Sequence, residues 1–416
     1  MTTTTKSVTG DTSIRPFRVE FAESALADLK QRLAVTRLPE QETVSDFSQG
    51  VPLKTIKQIL QHWRTKYDWK KVEARLNAVP NFKTEIDGLD IHFIHVRSKH
   101  EAALPLLVTH GWPGSIVEQL KIIDPLTNPT AHGGSASDAF HVIIPSMPGY
   151  GFSDKPTTTG WGPERITKAW IALMRRLGYT KFVASGGDWG AVITDLIGIE
   201  APPELLGIHT NMPGAVPASI DQGAFAGAPA PAGLSDEEKY TYDELVFFYK
   251  HVYYAFEMGT RPQTLAALAD SPIGLATFLL DHDARSLEMI ARSFDGQPEG
   301  ITPDDFLDNV TLFWLTNTGV SSSRLYWENK LGFFGPRGVK VPTAVSSFPD
   351  EIYRTPRKWA AEAYPNLIHY NQMPKGGHFA AFEQPKLLTE ELRTGFRSLR
   401  KGFIGEIADA ADRQVA

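Results

Sequence analysis

Short, continuously apolar runs alternate with amphipathic helical patterns along most of the chain from about Phe82 onward. Seven of these runs predict β-strands, at Ile91–Val96, Leu106–Thr109, His141–Pro145, Phe182–Ser185, Gly207–Asn211, Val339–Ser346 and Asn366–Tyr370. Uninterrupted apolar runs are typical of parallel strands that are buried on both faces. Helical patterns lie between many of them, for example at Ile166–Leu177 and Ala191–Ile199. The alternation predicts an α/β fold, with a mainly parallel sheet flanked by helices and right-handed crossovers.

The alternation stops between about Gly214 and Gly335. This interval opens on a segment rich in Gly, Ala and Pro, which predicts a loop, and helical patterns follow it. Ser235 and Glu238 have the spacing of a capping box. Thr302 is followed by a proline and two aspartates, which is a strong signal for the start of a helix. We therefore expect a helical insertion between two strands of the sheet.

Two amphipathic patterns precede the first strand and predict helices. Leu26, Leu29 and Leu33 recur at helical spacing, and a second apolar stripe follows at Ile56, Ile59, Leu60 and Trp63. Neither stripe can bury itself alone, so we expect this segment to pack on something larger. The expected units in chain order are an N-terminal helical extension (1–80), the first part of the core (81–213), a helical cap (214–337) and the second part of the core (338–416).

Composition excludes several classes of function. The 42 Lys and Arg against 48 Asp and Glu leave a net charge of −6 with no basic tract, which argues against binding to nucleic acid or anionic membranes. The chain has 0 Cys, which excludes disulfides, iron–sulfur clusters, Cys-type zinc sites and a thiol nucleophile. The N-terminus has no apolar signal segment, and no apolar run approaches the ~20 residues of a membrane span. These features predict a soluble, cytoplasmic protein without a membrane anchor.

The segment SGGDWG at 185–190 is the sharpest local signal. It follows a predicted strand, precedes a helical pattern, and has the form G-x-nucleophile-x-G of a strand–turn–helix elbow, with Asp188 at the nucleophile position. Glycines flank such a nucleophile because the turn brings the helix backbone close to the strand. The alternative is that Asp188 only caps a helix in a glycine-rich turn.

The segment HGWPGS at 110–115 directly follows the predicted strand Leu106–Thr109. In a fold with a nucleophile elbow, the loop at this place supplies one backbone N–H of an oxyanion hole, and the residue after the nucleophile supplies the other. The expected donors are therefore the backbone N–H groups of Trp112 and Trp189. The alternative is an ordinary Gly/Pro loop.

A glycine-flanked histidine, His378, follows the last predicted strand. Its place in the order nucleophile, acid, histidine favours a catalytic base over a structural histidine. The acid is expected at the end of the preceding strand, where Asp350 and Glu351 are adjacent; position alone does not choose between them. No histidine spacing in the chain indicates a metal site.

Four segments together, HGWPGS, GGDWG, FPDE and GGHFAAFEQP, resemble the epoxide hydrolase family of α/β-hydrolases. The similarity is to the microsomal and juvenile-hormone branch with its soluble bacterial and fungal members, and it covers most of the chain. It implies the α/β-hydrolase fold, with Asp188 as nucleophile, His378 as base and Glu351 as the acid that orients it. Microsomal relatives carry an N-terminal membrane anchor that this sequence lacks, so membrane attachment is not implied.

The resemblance also implies two tyrosines in the cap. One lies eight residues before the proline of a Thr-Arg-Pro turn, which gives Tyr254, with Tyr253 as an immediate neighbour. The other precedes a Glu-Asn pair in the family pattern. Tyr326, in the segment RLYWEN, fits that position. Without the family pattern, each tyrosine would be interpreted as a packing residue.

The implied activity is the opening of an epoxide to a vicinal diol without a cofactor or metal. The expected partner is a small, apolar epoxide, since the cap is rich in Phe, Tyr and Leu; a homodimer is left open. A haloalkane-type dehalogenase uses a similar Asp–His–acid set, but it holds halide with Trp or Asn N–H groups, so the tyrosine pair favours the hydrolase. A non-enzymatic binding protein of this fold would usually have lost the nucleophile or the base.

Overall fold

One sheet of nine strands runs through the described part of the chain, residues 11–401 and 403, in a computed structural model. The strands are β1 (Arg15–Phe17), β2 (Asn81–Ile86), β3 (Leu89–Val96), β4 (Leu104–Thr109), β5 (Phe140–Pro145), β6 (Phe182–Gly186), β7 (Leu205–Thr210), β8 (Thr343–Ser347) and β9 (Leu367–Gln372). Their spatial order is β1-β2-β3-β5-β4-β6-β7-β8-β9. The α/β fold predicted from the sequence is confirmed.

All pairings from β5 to β9 are parallel, whereas β1, β2 and β3 form an antiparallel edge. Every residue of β4 and β6 is buried, which explains their uninterrupted apolar sequences. The chain order reverses around β4, which lies between β5 and β6. Ligands of open α/β sheets bind at the carboxyl ends of the strands beside such a reversal.

The N-terminal extension contains α1 (Glu23–Ala34), α2 (Leu53–Thr65) and α3 (Trp69–Asn77). The sequence predicted helices in this extension but missed β1, which lies inside it and pairs with β2. A strand of three residues with a central proline gives no periodic signal, and proline is tolerated at a sheet edge. Residues 1–10, on which the predicted absence of a signal segment rests, lie outside the described residues, as do 402 and 404–416.

The core helices before the cap are α4 (Leu120–Thr127), α5 (Pro163–Arg176) and α6 (Trp189–Glu200). The cap helices are α7 (Ala218–Phe225), α8 (Asp236–His251), α9 (Tyr253–Thr260), α10 (Pro272–Leu280), α11 (Ala284–Phe294), α12 (Pro303–Leu315) and α13 (Gly319–Glu328). The last helices are α14 (Arg357–Ala363), α15 (Ala380–Glu383) and α16 (Pro385–Gly395). Short 3₁₀ segments lie at Pro129–Ala131, Ala136–Asp138, Pro262–Ala269 and Arg397–Leu399. The predicted capping box starts α8, and α12 begins after Thr302 as predicted, also with a capping box.

The cap lies over the carboxyl edge of the sheet and is bonded to the loops there. Asn309 Nδ2 of α12 donates to the carbonyl of Pro113 at 2.6 Å. The hydroxyl of Tyr150 donates to the carbonyl of Ser322 in α13 at 3.0 Å. The N-terminal extension holds the cap from outside, where His62 of α2 pairs with Asp304 at 2.7 Å. The edge that carries the motif residues is therefore enclosed.

A buried ion pair connects α6 to the segment that follows α13, the last cap helix. Arg337 Nη1 lies 2.9 Å from Asp195 Oδ2, with side chains 7% and 1% exposed. The hydroxyl of Tyr364 donates to both oxygens of the same carboxylate at 3.0 and 3.1 Å. Burial raises the pKa of Asp195, and the guanidinium opposes that shift.

Replacing Arg337 with methionine should therefore lower the free energy of unfolding by about 3–5 kcal/mol, because it leaves a buried carboxylate without its counter-charge. Urea denaturation of both proteins measures the difference. Arg175→Met is the matched control, since Arg175 pairs with Glu204 while 52% exposed, and such a pair contributes about 0–1 kcal/mol. Equal losses in the two variants would contradict the role given to the buried pair.

Within residues 11–401 and 403, every helix is too short or too polar to cross a bilayer.

Candidate active site

Asp188 lies in the turn between β6 and α6, in a backbone conformation that is rare for a non-glycine residue (φ 52°, ψ −127°). Only glycine fits at the two neighbouring positions 186 and 190, because the backbone of other residues lies too close for a side chain. A Cβ at Gly186 would collide with the carbonyl of Gly190, and a Cβ at Gly190 would collide with the carbonyl of Thr109. The turn thus presents the Asp188 carboxyl group, 5% exposed, at the carboxyl edge of the sheet.

Two backbone N–H groups face this carboxylate. Trp112 N donates to Asp188 Oδ1 at 2.7 Å, and Trp189 N also bonds to the Asp188 side chain. The loop reaches so close that any side chain at Gly111 would overlap the carboxyl group. Burial raises the pKa of Asp188, while nearby His378 and His282 and the two N–H groups oppose that shift. The motif at 110–115 and the elbow therefore meet at one carboxylate.

His378 lies in the loop between β9 and α15, and its side chain is buried between two carboxylates. Nδ1 is 2.5 Å from Glu351 Oε1, and Nε2 is 3.7 Å from Asp188 Oδ2. An Nδ1–H that donates to Glu351 leaves Nε2 facing Asp188. Burial lowers the pKa of His378, but Glu351, Asp188 and Asp283 together raise it to about 10.

The structure distinguishes the two adjacent acids. The Glu351 side chain is 1% exposed and contacts His378, and its second oxygen accepts from Asn211 Nδ2 at 3.3 Å. The Asp350 side chain is 56% exposed and lies 3.7 Å from Arg285. Glu351, the residue chosen by family position, is thus the acid beside the imidazole.

Two tyrosines of the cap lie above Asp188 on the aromatic rings of Trp112 and Trp189. The Tyr254 ring stacks on Trp112 at 4.9 Å between centroids, and the Tyr326 ring meets Trp189 edge-on at 4.8 Å. The two tyrosine rings are 6.2 Å apart. Tyr253, the neighbour that the sequence left in question, is 73% exposed.

The tyrosine hydroxyls remain protonated at neutral pH. Burial, together with the nearby Asp188 carboxylate, raises the pKa of Tyr254 and of Tyr326 well above the usual value. Both hydroxyls can therefore act as hydrogen-bond donors. The five predicted side chains come from distant parts of the chain, and the fold brings them together.

A cavity of about 30 Å³ lies behind Asp188 and His378, which is enough room for a water molecule. Glu118, from the segment before α4, lines this cavity. Burial raises its pKa to about 8, and its Oε1 accepts from Gln119 Nε2 at 2.5 Å. Sequence reasoning missed Glu118, since one glutamate beyond a loop motif carries no signal of its own.

Sequence reasoning also missed His282, which is 3% exposed. Its ring centroid lies 4.2 Å from that of His378. A lone histidine between two helical patterns belongs to no motif, so only the fold reveals this contact.

Two family models match the chain, one described as the epoxide hydrolase N terminus at residues 14–119 and one as the alpha/beta hydrolase fold at residues 105–246. The chain is 50% identical over 390 residues to a Stigmatella aurantiaca protein that bears a provisional epoxide hydrolase name, covering 93% of this chain and 86% of that protein. It is 39% identical to epoxide hydrolase 1 of Oryctolagus cuniculus over 406 residues, covering 92% of this chain and 88% of that one.

Among solved structures, the juvenile hormone epoxide hydrolase of the silkworm Bombyx mori superimposes with a TM-score of 0.81 at 30% identity, covering 95% of this chain and 96% of that one. Sequence relatives and structure agree over nearly the whole length. The chain therefore belongs to the epoxide hydrolase family of the α/β-hydrolases, in the branch that contains the juvenile hormone enzymes.

Proposed function

We propose that this enzyme hydrolyses a small epoxide to a vicinal diol through a covalent ester of Asp188. The observation that carries the proposal is one enclosed arrangement: a buried carboxylate bonded to backbone N–H groups on one side, with a histidine 3.7 Å away and two tyrosine rings above it. A panel of epoxides and haloalkanes tests the reaction class. We expect diol release from epoxides, and release of halide alone would support a dehalogenase instead.

In the first step the Asp188 carboxylate attacks a ring carbon of the epoxide. A carbon–oxygen bond forms to the carboxylate as the strained ring bond breaks. Trp112 N holds Oδ1, so Oδ2 is the oxygen available for attack. The alkoxide that leaves takes a proton from Tyr254 or Tyr326, and the proton that His378 carries in the resting enzyme replaces it through solvent.

In the second step water attacks the carboxyl carbon of the ester. His378 Nε2 removes the proton, and Glu351 stabilises the resulting imidazolium. The negative oxygen of the tetrahedral intermediate is held by the backbone N–H groups of Trp112 and Trp189. The acyl carbon–oxygen bond then breaks, and the departing alkoxide takes the proton from His378 to give the free diol. The second proton of the water remains on the regenerated Asp188 carboxyl group and passes to His378, which restores the carboxylate and the protonated imidazole of the resting enzyme.

The charge on Asp188 explains how His378 can be protonated in the resting enzyme and act as a base in the ester form. The Asp188 carboxylate is among the charges that raise the pKa of His378 to about 10. Ester formation removes that negative charge, so the pKa of His378 should fall when the base is needed. The first step thereby prepares the second.

Both steps should slow as pH falls, but through different titrating groups, Asp188 in the first step and His378 in the second. Ring opening should slow as pH falls, because burial raises the pKa of Asp188 and a protonated carboxyl cannot attack. Decay of the ester should accelerate as pH rises, because His378 must lose its proton first. Stopped-flow fluorescence of the tryptophans beside Asp188 can follow both steps.

The variant Glu351→Gln tests whether His378 is the group whose deprotonation controls ester decay. Glu351 raises the pKa of His378, so its loss should shift the ester-decay limb to lower pH. If the pH dependence of ester decay is the same in the variant and the wild type, His378 is not the group that controls it.

Tyr254→Phe and Tyr326→Phe should each slow ring opening about 10- to 100-fold, since each removes a donor worth roughly 1–3 kcal/mol to the leaving oxygen. The double variant should lose far more than either single one, because the remaining tyrosine no longer compensates. Decay of preformed ester should stay nearly unchanged. Tyr253→Phe is the matched control, and native ring-opening rates in both single variants would make the two tyrosines packing residues only.

We further propose an apolar epoxide as substrate. Trp112 lies beside the carboxylate, and the rings of Tyr254, Phe278 and Tyr326 pack on it, which provides hydrocarbon surface near the nucleophile. The cytoplasmic location stays a prediction from the sequence, and the homodimer stays open; cell fractionation and sedimentation of the purified enzyme test them.

A further inference from the structure

A second histidine–carboxylate pair faces the proposed nucleophile from the cap. His282 lies between α10 and α11, and its side chain is 1% exposed. Its Nδ1 is 3.0 Å from Asp283 Oδ2. The other oxygen of Asp283 accepts from the backbone N–H of Ser286 at 2.8 Å, so the carboxylate is fixed at the start of α11.

This pairing leaves one atom of His282 without a partner. If Nδ1–H donates to Asp283, the lone pair of the neutral ring is on Nε2. Nε2 is buried, and no described residue hydrogen-bonds to it. Buried polar atoms are rarely left in this state, so an unpartnered nitrogen inside an active site suggests a ligand.

Donor atoms of Asp188, His282 and His378 all lie within 4.8 Å of one another, and all three residues are buried. His378 Nε2 and Asp188 Oδ2 are 3.7 Å apart. Donors around a tetrahedral zinc ion with bonds of about 2.0–2.1 Å lie roughly 3.4 Å apart. Small side-chain rotations would therefore bring the three atoms to this spacing.

The surroundings of the two histidines also match those of zinc ligands. Histidines that bind zinc commonly donate their other ring nitrogen to a carboxylate, which fixes the tautomer and the ring. Here Glu351 does this for His378, and Asp283 does it for His282. Two imidazoles and one carboxylate are a donor set that suits zinc and neighbouring transition metals, whereas Mg²⁺ and Ca²⁺ prefer oxygen ligands.

A cleft of about 290 Å³ is lined in part by His282. Its described lining includes the carboxylates of Asp46, Glu244, Asp281, Asp283, Glu288 and Glu351. Arg285 is the one Lys or Arg among the described lining residues, and it is paired with Glu244 at 2.6 Å. An excess of negative charge raises the local concentration of cations.

The geometry points to an inhibitory site for a divalent transition metal, with Zn²⁺ as the preferred ion, formed by Asp188, His282 and His378. Binding releases to solvent the proton that His378 carries in the resting enzyme. The ion then occupies the carboxylate and the imidazole nitrogen that the reaction uses, so epoxide turnover stops until the ion leaves. Binding itself goes beyond the proposed function and does not depend on it. No step of the reaction requires the ion.

Equilibrium dialysis of chelator-treated protein against ZnCl₂ tests the site directly. We expect one tightly bound Zn²⁺ per chain, little binding of Mg²⁺, and a visible absorption of low-symmetry Co²⁺ when cobalt replaces zinc. His282→Phe should weaken Zn²⁺ binding at least about tenfold, since it removes a ligand but keeps an aromatic ring. Asp283→Asn should weaken it roughly 10- to 100-fold, because the orienting carboxylate is lost, while asparagine still caps α11.

His132→Gln is the matched control, because His132 pairs with Asp124 on the surface at 2.5 Å; it should bind Zn²⁺ as the wild type does. In assays of epoxide hydrolysis, Zn²⁺ should inhibit the wild type reversibly, with recovery on adding EDTA. Thermal melting verifies that the variants are folded. Absence of tight Zn²⁺ binding in the wild type, or equal binding in His282→Phe and Asp283→Asn, would overturn the proposal, whereas a failed epoxide assay with intact binding would count against the proposed function alone.

Discussion

Replacing His378 with glutamine should convert the enzyme into a covalent trap for its substrate. Ring opening uses the Asp188 carboxylate and the tyrosines, so it should continue, while ester hydrolysis should slow by about 10³-fold or more without its base. After mixing with an epoxide, intact-protein mass spectrometry should show a mass increase equal to one substrate molecule. Peptide mapping should place the adduct on Asp188.

One outcome of the His378→Gln experiment would contradict this role. Steady diol production at the native rate would remove His378 from the mechanism. The matched control is His62→Gln, a histidine paired with Asp304 on the outside of the cap. That variant should turn over normally and accumulate no adduct.

Replacing Asp188 with asparagine should lower diol formation by at least about 10⁴-fold, because a neutral amide does not open the epoxide and no ester can form. Asparagine tolerates the positive φ of 52° at this position better than most residues. Its side-chain oxygen can still accept the hydrogen bond from Trp112 N. Loss of activity would therefore report the nucleophile and not a collapsed turn, which circular dichroism and thermal melting can verify.

Asp350→Asn is the matched control for this change. Asp350 is adjacent to Glu351 but its side chain is 56% exposed and turned toward Arg285. The control should retain the native rate within about twofold, since surface substitutions of this kind rarely matter. Substantial activity in Asp188→Asn, with no reversion to aspartate seen by mass spectrometry, would contradict the covalent mechanism.

The buried centre of the sheet could be predicted from the sequence because burial on both faces leaves a continuous apolar run. The predicted strand Leu106–Thr109 differs from the observed Leu104–Thr109 only at its start. The strands β1 and β2 at the antiparallel edge gave no such signal. In β2, residues 81–86, only Phe82 and Ile86 are apolar, and β1 has only three residues.

The strand predicted at Val339–Ser346 is observed at Thr343–Ser347. Val339 and Val341 continue the apolar run, but Pro342 lacks an N–H and cannot donate within a central ladder. Hydrophobicity therefore extended the prediction beyond what backbone hydrogen bonding allows.

The candidate active site, like the sheet, could be predicted only in part from the sequence. Asp188 and His378 could be found because their flanking glycines reflect strict backbone requirements. The sequence alone could not choose Glu351 over Asp350 or Tyr254 over Tyr253, since adjacent residues of the same kind differ only in tertiary burial. In the structure Tyr253 is 73% and Tyr254 is 8% exposed. His282 had no motif at all, because its contact with His378 joins segments far apart in the chain.

A single turnover in H₂¹⁸O, with enzyme in excess over epoxide, tests the covalent mechanism most directly. If water attacks the carboxyl carbon of an Asp188 ester, the diol should contain an unlabelled oxygen from the enzyme. The peptide that contains Asp188 should gain one ¹⁸O. Label in the diol with an unlabelled Asp188 would mean that water attacks the epoxide itself, and it would contradict the account.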